Sequence, residues 1–242
     1  MRITLARPDR KNAFDAELIG LLAAAARDVK PAARVVVLQS EGDTFCAGAD
    51  LDWMRGMASF GLDENRADSR ALAEMFRALY ELDVPLVARV QGAALGGGAG
   101  LVAVADIAVA SSEATFAFTE TRLGILPAVV SPYVVRKIGP ARATALFVTG
   151  SRIDAKRAHE IGLVERVVEP GELDAAVGRV VDAILSAGPD AVRAAKRLVR
   201  EVDSRSPADV LELTVERIAK VRVSDEGQEG MRAFLEHRKP RW

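Results

Sequence analysis

Residues 90–106 read VQGAALGGGAGLVAVAD, and Gly92, Gly96, Gly97, Gly98 and Gly100 crowd a single turn within them. The turn lies between the β-branched run PLVARVQG (85–92) and an apolar helical stretch that opens at about Gly97. Glycine is up to about 1 kcal/mol per residue worse than alanine inside a helix, so this concentration of it needs a reason, and close approach to the backbone supplies one. The first N–H groups of a helix have no internal partner and stand at the positive end of the helix dipole. They can hold either a phosphate or a developing oxyanion.

The phosphate reading has literal support, because Gly98-Ala99-Gly100-Leu101-Val102-Ala103 matches the G-x-G-x-x-A pattern of dinucleotide-binding turns. Its next requirement, an acid at the end of the following strand, is not met: DIAVASS begins with Asp106 and reaches an acid only at Glu113. A nicotinamide oxidoreductase is therefore the weaker alternative. The oxyanion reading gains a second element upstream. EGDTFCAGADLDWM (41–54) follows the strand RVVVLQ (34–39) and carries another turn of small residues, Ala47-Gly48-Ala49, leading into a helix. Two such turns at the ends of neighbouring strands can aim one N–H each at a single point, as a thioester carbonyl turning into an enolate requires.

Outward from these turns, ITLAR, RVVVLQ, PLVARVQG and DIAVA alternate with helical periods over Asp15 to Val29, Glu64 to Leu82 and from about Gly97. Such alternation predicts an α/β fold of crossover units on a largely parallel sheet. RVVVLQ lacks polar alternation and is expected to be buried on both faces. After Pro127 the chain reads as helical apart from GLVERVVE (162–169), with Ser206-Pro207 expected to open one helix and Asp154 another. The predicted division is residues 1–127 as the α/β core with the oxyanion turns, and residues 128–242 as a helical region with exposed faces suited to subunit contacts.

Half of the 242 residues are hydrophobic and the formal net charge is −1, with no basic stripe to argue for nucleic acid or a membrane surface. The most apolar run, Leu101 to Ala110, is interrupted by Asp106, so no membrane span is expected. Cys46 has no partner for an internal disulfide and no histidine near it in sequence, and reads as a packing residue. The N-terminal RITLARPDRK has no apolar signal stretch, so a cytoplasmic location is expected.

FCAGADL (45–51), GAALGGGAG (92–100) and FAFTETRLGILP (116–127), three motifs in order, resemble the crotonase (enoyl-CoA hydratase/isomerase) superfamily. The likeness extends from RPDRKNAF (7–14) to EGMRAFLEHRKPRW (229–242). The resemblance implies a spiral of ββα crossover units followed by a helical trimerisation region that completes the pocket and mediates assembly, as a homotrimer or a hexamer of two trimers. It implies an acyl-CoA substrate, with coenzyme A carried as part of the substrate and no metal or further cofactor. By matching position, the oxyanion donors are the N–H groups of Ala49 and Gly97, and Ala47 and Gly96 flank them.

Two-glutamate hydratases of this family carry one acid on the helix after the triple glycine and one twenty positions later; here those positions are Gly100 and Glu120. A lone Glu120 has to act as both base and acid, and its apolar neighbours in FAFTETRLGI are expected to raise its pKa. One glutamate resembles both the family's Δ3-Δ2 isomerases or decarboxylases and a branch of single-glutamate hydratases. LGILPAVVSPYVVRKIG (123–139) resembles the 3-methylglutaconyl-CoA hydratases of leucine breakdown within that branch. Asp63 or Glu64 could replace the missing acid, although both fit a helix-start charge preference.

For coenzyme A, the resemblance places Lys11 at a phosphate and the backbone of Asp50, Leu51 and Asp52 against adenine and pantetheine, with Asp52 standing where a lysine is common. Phe234 and His237 are placed against a neighbouring subunit's ligand, His237 again replacing a lysine. Met54, Met57 and Phe60 could line the acyl pocket, although a stripe at helical spacing reads first as core. The sequence thus predicts a hydratase acting on an α,β-unsaturated acyl-CoA of fatty-acid or branched-chain amino-acid breakdown. The alternative from another class is an acyl-CoA- or RNA-binding protein that lost catalysis with Gly100.

Overall fold

The computed structural model describes residues 1–242. The first half runs β1 (Arg2–Leu5), α1 (Ala16–Arg27), β2 (Val36–Ser40), α2 (Leu51–Met57), α3 (Leu62–Tyr80), β3 (Leu86–Val90), β4 (Ala93–Leu95), α4 (Gly97–Val104), β5 (Ile107–Ser111) and β6 (Thr115–Ala117). It continues through α5 (Ser131–Ile138), α6 (Pro140–Thr149), β7 (Ile153–Asp154), α7 (Ala155–Glu160), β8 (Arg166–Val168), α8 (Leu173–Ser186), α9 (Pro189–Val202), α10 (Leu211–Val223) and α11 (Asp225–Leu235).

The single parallel sheet expected from the sequence is in fact two sheets. Five parallel strands lie in the order β1-β2-β3-β5-β8. A second sheet, β4-β6-β7, pairs β4 with β6 in parallel and β6 with β7 antiparallel. The chain thus steps from β3 to β4, then from β5 to β6, leaving the large sheet for the small one at each turn of the spiral. Strands of two or three residues, such as Ala93–Leu95, are too short for a period-two pattern to show, which is why the small sheet escaped the sequence reading.

β2 is buried on both faces as its unbroken apolar run requires, with Val36 and Leu38 fully inaccessible. The main apolar core runs from Ile3 to Val164, continuing through α5, α6 and α7 beyond Pro127. A smaller cluster under α8 covers the other face of the large sheet with Leu173, Ala176 and Val177.

Asp15 and Asp154 cap α1 and α7 by accepting from the N–H groups of Leu18 and Arg157. Ser206-Pro207 does not open a helix: the Ser206 hydroxyl donates to the Asp209 carboxylate at 2.8 Å in a turn, and α10 starts only at Leu211. Peripheral α9 is tied to the core by Lys196, whose ammonium pairs with Asp106 at 2.6 Å and donates to the Val84 carbonyl. No helix is long and apolar enough to cross a membrane.

Candidate active site

The glycine turn is held from two sides. Leu95 lies opposite Ala117 in the β4–β6 pair, and the next amide, Gly96, donates to the Ala117 carbonyl at 2.8 Å. On the other side Cys46 bridges Ala94 in parallel register, its N–H donating to the Ala93 carbonyl and its carbonyl accepting from Leu95. The bridge lays the Ala47–Ala49 turn against the glycine turn. The closeness is direct at Gly48, where a Cβ would lie 2.9 Å from the Leu95 carbonyl oxygen and 3.9 Å from the Gly96 Cα.

Both candidate amides point away from the groups that bond their neighbours. The Gly48 carbonyl accepts from the Phe14 N–H at 2.7 Å, and the trans peptide turns the Ala49 N–H to the opposite side. The Gly96 carbonyl accepts from Gly100 as the first helical bond of α4, which directs the Gly97 N–H out of the helix N-terminus. Gly96 itself has φ +51° and ψ −120°, a conformation that a side chain would strain.

Glu120 follows β6 by three residues, at the start of a 3-10 turn spanning Glu120–Leu123. Thr121 anchors that turn by donating its hydroxyl to the Phe147 carbonyl at 2.7 Å, and Gly124 closes it with φ +75°. The Glu120 carboxylate is turned back to the glycines: a Cβ on Gly96 would sit 3.2 Å from its Oε1. Its Oε2 is shielded from solvent and has no hydrogen-bond partner. Burial raises its pKa, against a weaker opposing backbone hydrogen bond, so the carboxylate is poised to take up a proton.

Gly100, where the first glutamate of the two-glutamate hydratases would stand, has no room for any side chain. A Cβ there would come within 2.4 Å of Val130 Cγ1 and 3.1 Å of the Phe76 ring. Asp63 and Glu64 are exposed and engaged at the start of α3, Asp63 with Arg66 and Glu64 with the Gly61 N–H, and neither fills the vacancy.

Of the other predicted site residues, Ala47 donates to the Lys11 carbonyl at 3.0 Å, so the exposed Lys11 adjoins the Ala47–Ala49 turn. Asp50 is buried and its carboxylate caps α2, accepting from Asp52 and Trp53. Leu51 and Asp52 are exposed, and Asp52 pairs with Arg55. Met54 and Met57 are only half-buried and Phe60 is exposed, so this stripe is not core as its spacing predicted; α2 buries no residue. Cys46 is fully buried and its thiol is pushed up to about 12 by burial, as befits a packing residue. Phe234 and His237 are not brought to this site by their own chain: α11 packs on α9 and α10.

Two residues that hold the site were not singled out from the sequence. Phe14 fixes both turns: its N–H and carbonyl bond Gly48 and Asp50 on either side of Ala49, and its ring packs where a Gly97 Cβ would be, 2.7 Å away. Asn12 is fully buried at φ +53°, its amide donating to the Glu41 and Thr44 carbonyls at 2.8 Å and its oxygen accepting from Arg7. The RPDRKNAF motif marked this segment, yet only as a source of cations.

Fold and site together are those of the crotonase class: a ββα spiral with paired peptide N–H groups beside a desolvated carboxylate. Residues 1–242 match the family described as Enoyl-CoA hydratase/isomerase, and the chain belongs to that family. The putative enoyl-CoA hydratase of Thermus thermophilus is 34% identical over 237 residues, covering 97% of this chain and 94% of that protein. The crotonyl-CoA hydratase of Syntrophomonas wolfei is 32% identical over 237 residues, covering 96% and 90%. The crystal structure of an enoyl-CoA hydratase from Shewanella pealeana superposes with a TM-score of 0.95 at 38% identity, covering 100% of this chain and 91% of that one.

Proposed function

We propose that the protein adds water across the double bond of an α,β-unsaturated acyl-CoA, with Glu120 as its single proton carrier. The observation that carries this reading is the desolvated, unpaired Glu120 carboxylate beside Gly96, next to two amides free to hold an oxyanion. Glu120 removes a proton from water as the hydroxide adds to the β-carbon. The thioester oxygen then carries the enolate charge, held by the Ala49 and Gly97 N–H groups, each such donor being worth roughly 3–4 kcal/mol in acyl chemistry. The same carboxyl group returns its proton to the α-carbon, and because one group serves both ends the addition is syn.

On this reading Lys11 meets a coenzyme A phosphate, the backbone at Asp50, Leu51 and Asp52 borders adenine and pantetheine, and no further cofactor takes part. Phe234 and His237 act on a neighbouring subunit's ligand in a trimer or a hexamer of two trimers. The apolar surface of α10 and α11 supports assembly, since Leu211, Val215, Ile218, Met231, Phe234 and Leu235 are all exposed in the single chain. The closed Gly100 position equally suits a Δ3-Δ2 isomerase, which needs only one proton carrier.

Loss of the conjugated thioester absorbance with crotonyl-CoA and 3-methylglutaconyl-CoA, measured in parallel, tests the proposal. Hydration is expected with at least one of them. Glu120→Gln is expected to lower kcat by about 10²–10⁴-fold, the usual worth of a general acid–base group. No loss with either substrate, together with a gain of the same absorbance from a 3-enoyl-CoA, would transfer the assignment to isomerisation.

A further inference from the structure

Helix α4 has the candidate catalytic turn at its N-terminus and a second cavity at its C-terminus. This cavity, of about 520 Å³, lies between α4, α5 and α9, within the size range of small-molecule sites. Ten of its sixteen lining residues are hydrophobic, among them Val104, Val192 and Val199. Four cations also line it, and two of them are neutralised: Lys196 by Asp106 at 2.6 Å and Arg136 by Asp203 at 3.2 Å.

The other two have no carboxylate partner. Arg200 stacks on the Tyr80 ring at 4.4 Å and donates to the Tyr80 carbonyl. Lys137 donates to the Val102 and Ala105 carbonyls, which leaves one of its three N–H groups over. Asp106 and Glu165 are the acids that act on Lys137, and neither forms an ion pair with it. Tyr80, also in the lining, has a hydroxyl shielded from solvent and without a hydrogen-bond partner.

An apolar cavity with two unpaired cations is complementary to an anionic head on a hydrocarbon chain. We propose that this cavity is a second ligand site, separate from the thioester site, that takes a free fatty acid with its carboxylate at Lys137 and Arg200 and its chain along the valines. Burial has pushed the Lys137 ammonium down to about 8, and an entering carboxylate would relieve that cost.

The chain carries only two tyrosines, Tyr80 and Tyr133, and both line this cavity. In the full chain labelled with 3-fluorotyrosine, ¹⁹F NMR therefore reports on this site alone. Decanoate is expected to shift both resonances saturably, in the presence of excess coenzyme A as in its absence, while decanol and acetate bind far more weakly. Losing the charge-assisted contact in Lys137→Met should weaken decanoate by about tenfold to a hundredfold. Ala195→Trp, at an exposed position on the α9 wall, should block binding while leaving hydration of crotonyl-CoA unchanged, and decides the matter if Lys137→Met does not fold. The proposal is overturned by no saturable shift with decanoate, by equal binding of decanol, or by an unaltered shift in Ala195→Trp.

Discussion

At the scale of single residues, the catalytic role proposed for Glu120 is set against stability. Its raised pKa means that the neutral acid is the form the fold prefers, so its contribution to stability is full below its ordinary value of 4.5 and is lost as pH rises through the folded value. Glu120→Gln, already expected to be nearly inactive, should therefore melt at a higher temperature than the native protein at pH 7. The difference should shrink as pH falls toward 4.5; a gap that persists unchanged at acid pH would assign it to something other than ionisation. Gly100 offers a second test, because its missing side chain is replaced by Val130 and Phe76. Gly100→Ala should cost about 1–3 kcal/mol by overpacking, and Val130→Ala in the same chain should restore part of it in a denaturation double-mutant cycle. The absent acid was legible in the sequence, since Gly100 could be counted against Glu120. The reason for its absence was not, because Val130 is thirty positions away and nothing local marks it as the occupant.

At the scale of elements, long patterned segments were legible and short ones were not. β2 announced itself by an unbroken apolar run, and α4 by the glycines before it. β4 and β6, three residues each, carry no readable period, although they position Gly97 and Glu120 respectively. Phe14 likewise shows only as one more apolar residue in the sequence, because its partners Gly48, Asp50 and Gly97 meet it through the tertiary fold. The attachment of α9 rests on a more localised interaction. Lys196 is almost fully buried and pairs with Asp106, which also accepts from the Leu86 N–H at 2.7 Å. Removing one member of such a pair strands the other, so Lys196→Ala should cost about 3 kcal/mol, and hydrogen exchange should show α9 opening before the sheet does.

At the scale of the molecule, the helices after α8 leave apolar surface uncovered, and Phe234 is 80% exposed. Phe234→Ser combined with Leu235→Ser should shift sedimentation toward smaller species and raise KM for the acyl-CoA, with Glu120 untouched. An unchanged sedimentation profile would remove these residues from the assembly surface. A trimer is implied by the family likeness alone, as composition carries no trace of symmetry. Long-range ordering also operates within the site. Phe14, from the first fifteen residues, grips Ala49's peptide by its backbone and Gly97 by its ring, so the two amides share one fulcrum. Whatever displaces that fulcrum would shift both at once, so on the proposed mechanism the losses from disturbing each amide separately should not add, and oxyanion binding would fail from a point far from Glu120 in sequence.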